Sequence, residues 1–558
     1  MPEPVEAWVA AVQAAERRGE PLSAFDLAER GLEQHPDDVW LRHRAVLALA
    51  RAGSTIEAQR RFDAYDLASV DDADVQALRA RIAKDVALAA TGVERRREAA
   101  RAADLYREIF ERTGGYYPGV NAATLMLVAG AGDDARRLAE RVLDRLKGEE
   151  PNSYYVAATE AESQLVLGRA DEARRALSRA AALDGGDYAA LATTRRQLRL
   201  VCEEAGVDPQ LLSIIAGPSV VHYCGHRVDA GTAAGRFPAT AEQGVSARIG
   251  AEVDRDPPGF AYGSLASGAD ILWAEALLER RAELHVVLPF ATDEFVRTSV
   301  ADGGSGWVDR FHRCLAAATS ISHATDDAYL GDDVLYGYAS ELAMGLALLR
   351  AGYLDAPVRQ LAVWDGGGSN GAAGTAADVA TWTSHGHPVT VVAPTDGPRR
   401  PAEGAESKRP EAAGRVVRAM LFADVKGFSK LTDEQLPPFA EHVLGALAEV
   451  LDNHTDSICH RNSWGDALYV VLTDAVSAAA CALDLQGAMG AVELSALGLP
   501  GHLALRLGGH LGPVFPVQDP VIGVRAYMGS HVSRTARIEP VTPPGAVFVT
   551  EPFAAALT

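Results

Sequence analysis

Apolar and polar residues alternate along this chain in three different rhythms. Over residues 1–205 apolar positions recur every three or four residues, as in LALARAGSTIEAQRRF and LVLGRADEARRAL, which is the period of amphipathic helices. Four times a glycine is followed five residues later by an alanine inside such a run: Gly19/Ala24, Gly53/Ala58, Gly130/Ala135 and Gly168/Ala173. The first two glycines are 34 residues apart and the last two 38. A glycine turn repeated at that interval, with a small residue where two helices cross, predicts a stack of helical hairpins. The stretch GGYYPGVNAATLMLVAG departs from the pattern and predicts a degenerate unit.

The rhythm changes over residues 206–395. Short apolar runs (SVVHYCGHRV, GFAYGSLA, ELHVVLPF, RQLAVWD and HPVTVVAP) are separated by helical stretches. That alternation predicts an α/β layer with a doubly wound parallel sheet. Two strand-to-helix junctions are rich in glycine, one at Gly263, Ser264 and Gly268, the other running from Gly366, Gly367 and Gly368 to Thr375. Backbone amides at helix starts can cradle phosphate, so both are candidate sites for a small nucleotide ligand. Neither is a Walker loop, and neither spells G-x-G-x-x-G. His222, Asp270 and Glu275 form no nucleophile–base pair in the sequence and are read as structural. Residues 396–414, TDGPRRPAEGAESKRPEAA, have no apolar period and predict a linker.

Residues 415–558 mix both rhythms. VVRAMLFADVKGFSK predicts a strand ending in Asp424 and a turn; LPPFAEHVLGALAEVLDNH predicts a helix; DSICHRNSWGDALYVVL predicts a hairpin with Asp466 at its tip. Strand, helix and hairpin in this order bring the two aspartates onto adjacent strands of one antiparallel sheet. Two carboxylates so placed can share hard divalent cations whose remaining ligands are triphosphate oxygens.

Composition narrows the classes. The net charge of −22 opposes binding to the nucleic-acid backbone. No eighteen-residue apolar run occurs, so no membrane span is expected, and an N-terminus with acids and no leading basic cluster does not read as a signal peptide. A cytoplasmic location is the expectation. The five cysteines form no C-x-x-C pair and predict free thiols.

Several of these segments resemble known families. The 1–205 hairpins resemble tetratricopeptide repeats, which implies a surface for a protein partner. GSLASGADILWAEALLERRAELHVVLPF resembles the Rossmann-like family of lysine-decarboxylase-like and DNA-processing nucleotide-binding proteins. The C-terminal segment resembles the class III adenylyl and guanylyl cyclases in five ordered motifs. Phe422-Ala-Asp424-Val-Lys-Gly427-Phe428-Ser429 matches their F-x-D-x-x-G-F-[ST], and Gly465-Asp466 their hairpin. LALRLGGHLGPV, the helix Gly529-Ser-His-Val-Ser533-Arg-Thr-Ala-Arg537-Ile-Glu and the closing PPGAVFVTEPF follow in the family's order.

The resemblance implies an α+β cyclase fold, a ferredoxin-like antiparallel sheet with helices, and a homodimer whose sites lie between two copies. It implies two magnesium or manganese ions per site, held by Asp424, Asp466 and the carbonyl of Val425, and a nucleoside triphosphate lying on Lys426, Gly427, Phe428 and Ser429. Arg537 and Ser533 would act on the transition state. The base-selecting positions fall on Asn462 and Ala526, which match neither the adenine-reading nor the guanine-reading pair, so the base stays open and includes pyrimidines. Ser533 stands where the family has asparagine. The alternative to a regulated cyclase is a cyclase-fold module that binds nucleotide and signals with impaired catalysis.

Overall fold

The computed structural model describes residues 3–183, 185–229, 236–368, 373–395, 414–521 and 523–558. The expected linker 396–414 lies almost entirely outside them. The chain divides into two compact units, one formed by Met1–Gly217 with Arg350–Ala356, the other by Pro218–Leu349 with Pro357–Thr558.

The first unit is helical, from Val5–Arg17 to Tyr188–Ala205, closing on a 3-10 segment, Pro209–Ile215. The four glycines that mark the sequence period all sit between paired helices with positive φ (70° at Gly19, 85° at Gly53 and Gly130, 74° at Gly168). A side chain there is strained, because a Cβ crowds the following carbonyl. The partner alanines Ala24, Ala58, Ala135 and Ala173 are all fully buried. The atypical stretch also forms a helix, Tyr116–Val128, and it is buried on most of its faces. Its polar groups are paired inside: Thr124 donates to Glu162 at 2.6 Å, and Lys84 donates to Asn121 at 3.0 Å. Burial pulls the Lys84 ammonium down to about 8.

The second unit contains two sheets. The first is wholly parallel: β1 Val220–Gly225, β2 Phe260–Gly263, β3 Glu283–Leu288, β4 Ser320–His323, β5 Val358–Val363 and β6 Val389–Val392, in the order β4-β3-β2-β1-β5-β6. The winding reverses between β1 and β5, and the carboxyl ends of strands at such a reversal open a crevice. Five of these strands carry apolar runs in the sequence. β4 does not, being a largely exposed edge strand read Ser-Ile-Ser-His.

The second sheet is mixed. Its strands are β7 Val416–Lys426, β8 Ile458–Trp464, β9 Ala467–Leu472, β10 Ala504–Gln518, β11 Arg525–Met528 and β12 Val547–Val549. The order is β11-β10-β7-β9-β8, antiparallel throughout, with β12 parallel to β10. The helices Ala475–Ala491 and Gly445–Asn453 contribute Ala478, Leu485, Leu447 and Leu451 to its core, with Phe439 from the turn before the latter. The same core takes in Tyr338, Leu342 and Ala343 of the helix Val334–Leu354, which follows β4.

Candidate active site

β7 buries Ala419, Met420 and Leu421 in succession and then alternates, leaving Phe422 and Asp424 partly exposed, and the β8–β9 hairpin turns through Gly465 at φ 65°, delivering Asp466 beside it. The two carboxyls lie close enough to act on each other, and the backbone at Val425 and Asp466 favours the ionised Asp466. Burial, followed by the Asp424 hydrogen bond and charge, pushes Asp466 up to about 6. Like-charged carboxylates in contact are relieved by a proton or by a cation. Among the described residues no group of three or more His, Cys, Asp or Glu gathers around a point. The oxygen donors at the expected position are therefore two carboxylates and the backbone, a hard-donor set that fits magnesium or manganese.

Two neighbours of the pair escaped the sequence reading. Arg506 lies opposite Asp424 in the β7–β10 register and donates to its Oδ2 at 2.6 Å. The same guanidinium reaches Glu539 at 2.8 Å, just past the helix Ser530–Ile538. Strand alternation in LALRLGG puts Arg506 on one face with Ala504 and Gly508, but nothing local in the sequence names its partner. Only the pairing of β10 with β7 does.

The turn after β7 is tight. Gly427 has φ 99°, and Phe428–Lys430 form a single 3-10 turn closed by the Lys430 and Leu431 amides. Lys426 and Ser429 are exposed, whereas the Phe428 ring packs on Phe439 at 5.0 Å and anchors the turn. The longer helix begins only at Leu436, where Pro437 and Pro438, which lack amide hydrogens, occupy its first turn.

The helix Ser530–Ile538 is two-sided. Ser533 and Arg537, one turn apart, are exposed. His531 and Thr535 are buried against the sheet. His531 is thus a core residue, although a helix-start histidine in the sequence reads as a surface one. Its Nδ1 bonds His510 Nε2 at 2.7 Å with the rings stacked, and its Nε2 bonds Thr325 Oγ1 at 2.9 Å. His510 in turn bonds Thr550 at 2.7 Å. Burial holds both imidazoles below their usual range, His510 at about 3 and His531 at about 4. A Cβ on Gly512 would lie 2.2 Å from His531 Nδ1, so only glycine lets the ring seat.

Asn462 is partly buried on β8, its Oδ1 accepting from the Ser463 amide at 2.8 Å; Ala526 is buried on β11. His460 Nδ1 bonds the Arg525 carbonyl at 2.8 Å, tying these strands together near both positions.

In the parallel sheet a cavity of about 800 Å³ opens where the winding reverses. Of the glycine-rich residues singled out in the sequence, Ser264 and Thr375 line it; Gly263, Gly268 and Gly366–Gly368 do not. The expected phosphate cradles are largely occupied by the protein itself. The Ala266 amide donates to Asp270, the Ser267 amide to the Ser299 carbonyl, and the Ala269 amide to the His226 carbonyl. The Gly367 amide donates to Asp365, while the Gly367 and Gly368 carbonyls accept from Arg236. Gly263 and Gly268 serve close packing: a Cβ on Gly268 would meet the Val228 nitrogen at 2.5 Å, and one on Gly263 the Tyr223 carbonyl at 2.6 Å. His222 is buried and stacked on Trp382, and Glu275 pairs with Arg310 at 2.5 Å. Asp270 lines the cavity, and burial pushes it up to about 7.

Residues 21–126 match the Tetratricopeptide Repeats-Sensor family. The search of solved structures finds cyclase domains. The guanylyl cyclase Cya2 is 24% identical over 26% of this chain and 81% of that chain, with a TM-score of 0.24. The adenylyl cyclase CyaB from P. aeruginosa is 19% identical over 25% and 80%, at 0.23. The guanylyl cyclase domain of the RhoGC fusion protein from Blastocladiella emersonii is 16% identical over 25% and 83%, also at 0.23. No curated protein matches. Among the described residues no helix is long and apolar enough to cross a membrane.

Proposed function

We propose that the C-terminal sheet is a class III nucleotidyl cyclase, converting a nucleoside triphosphate to a 3′,5′-cyclic nucleotide and pyrophosphate under the control of the preceding segments. The observation that carries this reading is the contact between Asp424 and Asp466, delivered by two different strands to one point, within five sequence motifs in the family's order. Asp424, Asp466 and the Val425 carbonyl would hold the ions; magnesium or manganese bound there supplies charge that acidifies the ribose 3′-hydroxyl and neutralises the triphosphate. Arg506 fixes the Asp424 carboxylate in place. The turn Lys426 to Ser429, with Lys426 and Ser429 exposed, would lie against the phosphates. Arg537, exposed on its helix, provides positive charge for the transition state, and Ser533 a hydroxyl donor one turn before it. Because the reaction is intramolecular, positioning and electrostatics account for most of the rate.

We further propose a homodimer, in which the exposed Ser533–Arg537 face of one copy completes the carboxylate site of the other. Asn462 and Ala526 would flank the base, and with one polar group between them selectivity is relaxed. The deciding experiment incubates the full chain separately with ATP, GTP, CTP and UTP plus manganese, with mass spectrometry of the products. Absence of a cyclic product from all four would overturn catalysis and leave nucleotide binding without turnover.

A further inference from the structure

The cavity of the parallel sheet and the helix bearing Ser533 and Arg537 are joined by one continuous stretch of chain, Thr325–Ala343. At its start, three successive residues grip the first turn of that helix. Thr325 bonds His531 at 2.9 Å, Asp326 pairs with Arg534 at 2.8 Å, and Asp327 accepts from Ser530 at 2.7 Å. Ala328 accepts from Arg415, at the entrance to β7, at 2.8 Å. The very next residue, Tyr329, lines the cavity, as do Asp333, Tyr336 and Ser340.

The helix Val334–Leu354 then separates the two regions. Ser340 donates to Asp378 on the cavity side at 2.7 Å. Tyr338 donates to the Leu511 carbonyl of β10 at 2.8 Å, next to His510. Gly345 lies so close to the C-terminal helix Glu551–Ala555 that a Cβ would come within 2.1 Å of the Ala555 carbonyl. Ala339 and Ala343 line the cavity and also belong to the core under the antiparallel sheet. Packed interiors transmit displacement, because they are dense and side chains have few alternative seats. An occupant that moves Tyr329, Tyr336 or Ser340 therefore moves the contacts that seat the helix Ser530–Ile538.

The lining defines the chemistry of the occupant. The helix Thr375–Ser384 starts at the cavity, with Gly374, Thr375 and Ala376 on its wall, and its first-turn amides suit one anionic group. Asp270, buried, and Asp378, half-buried, are acids suited to ribose hydroxyls or exocyclic amines, and Tyr329 and Tyr336, packed on each other and on Phe290, add aromatic wall beside them. Two further lining residues carry buried polar atoms, Ser264 Oγ and Tyr223 OH, with no hydrogen-bond partner among the described residues. Buried polar groups are seldom left unpaired, and a ligand satisfies them. The volume suits a molecule of nucleotide size.

We propose that this cavity is an effector site for a nucleoside phosphate, and that its occupancy sets the position of the Ser533–Arg537 helix through Thr325–Asp327 and the helix Val334–Leu354. The catalytic consequence rests on the cyclase reading; the mechanical coupling does not. The test uses the full chain with AMP as probe, and adenosine and ribose 5-phosphate as arms that separate base from phosphate recognition. Calorimetry is expected to show AMP binding more tightly than either fragment, and Asp270→Asn together with Ser264→Ala to weaken it about tenfold or more, a loss on the scale of one or two buried hydrogen bonds. Hydrogen exchange of the amides in 530–538 should change about fivefold on AMP binding, the lower end of ordinary coupling between sites. In Asp326→Ala/Asp327→Ala, AMP should still bind while that change disappears. Binding of none of the three probes would overturn the ligand class; AMP binding that leaves exchange at 530–538 untouched would overturn the coupling. If the exchange change is present but no triphosphate is cyclised, the cyclase reading fails and the coupling stands.

Discussion

The stacked histidines His510 and His531 make a sharp prediction about acid. Each is buried, neutral and hydrogen-bonded in the folded protein, with a pKa depressed to about 3 and about 4. In the unfolded chain each titrates near 6.5. The sign follows from which state binds more protons. Below 6.5 the unfolded chain takes up protons that the native state refuses, so stability is intact above that value and falls as pH drops toward the folded pKa. Between pH 7 and pH 5 an imidazole free in the unfolded state gains most of a proton, and one held at about 4 gains almost none. The linkage integral over that window is about 1.8 kcal/mol for each ring. The magnitude barely changes for any folded pKa of about 4 or lower, so it does not depend on the exact depression. Asp270, Asp378 and Asp466, raised to about 7, 6 and 6 by burial, act in the opposite direction, and His222, held at about 3, acts with the pair. The isolating measurement is therefore a difference. Urea unfolding of the wild type and of His531→Gln at pH 7 and pH 5 should show the variant losing about 2 kcal/mol less across the window, although it is less stable at pH 7. Equal losses in both proteins would mean that His531 is not held neutral by its surroundings, and the seating of the helix argued from it would fall.

Four further outcomes are expected. Asp424→Asn and Asp466→Asn should each abolish cyclic product while leaving the melting temperature within a few degrees of wild type, read by mass spectrometry and calorimetry. Mixing inactive Asp424→Ala with inactive Arg537→Ala subunits should restore turnover if the two residues act across a dimer; no recovery despite demonstrated subunit exchange would remove that model. Asn462→Lys with Ala526→Asp should shift the kcat/KM ratio toward ATP, whereas a wild type already preferring ATP more than about a thousandfold, roughly 4 kcal/mol, would place base reading elsewhere. Gly512→Ala should destabilise the second unit by about 1–3 kcal/mol, the usual range for forcing an extra carbon into a packed interior, and lower turnover through the displaced His531 helix.

Local signals were legible in the sequence and cross-strand ones were not. Gly19, Gly53, Gly130 and Gly168 announce their turns because a left-handed residue is a local demand, and the alanines that follow announce the crossings for the same reason. The places of Asp424 near a strand end and Asp466 at a hairpin tip were readable because each such element carries its own pattern. β4 left no trace, since an exposed edge strand has no apolar face to conserve its rhythm. The glycine-rich junctions misled in a physically informative way. Glycine marks any close approach of chains as well as a phosphate cradle, and at Gly268 the approaching chain is the protein's own backbone at Val228. Arg506 was invisible because its partner lies eighty-two positions away, fixed only by sheet register.

The helix Ser530–Ile538 bears on the dimer proposed above. Its buried side is committed, His531 to His510 and Thr325 and Thr535 to the His531 carbonyl, while Arg534 and the exposed Ser530 pair with Asp326 and Asp327. Just beyond its last turn Glu539 pairs with Arg506, which itself holds Asp424. A helix pinned along one side and at its far end has little freedom to turn Ser533 and Arg537 inward. Those two residues face away from the buried side. Arg537 forms no ion pair or side-chain hydrogen bond among the described residues. In the homodimer proposed above, this exposed guanidinium is the group that would act at the partner copy's carboxylate pair. Burial of His531 at the start of this helix fixes which of its residues face outward, and Ser533 and Arg537 are among them.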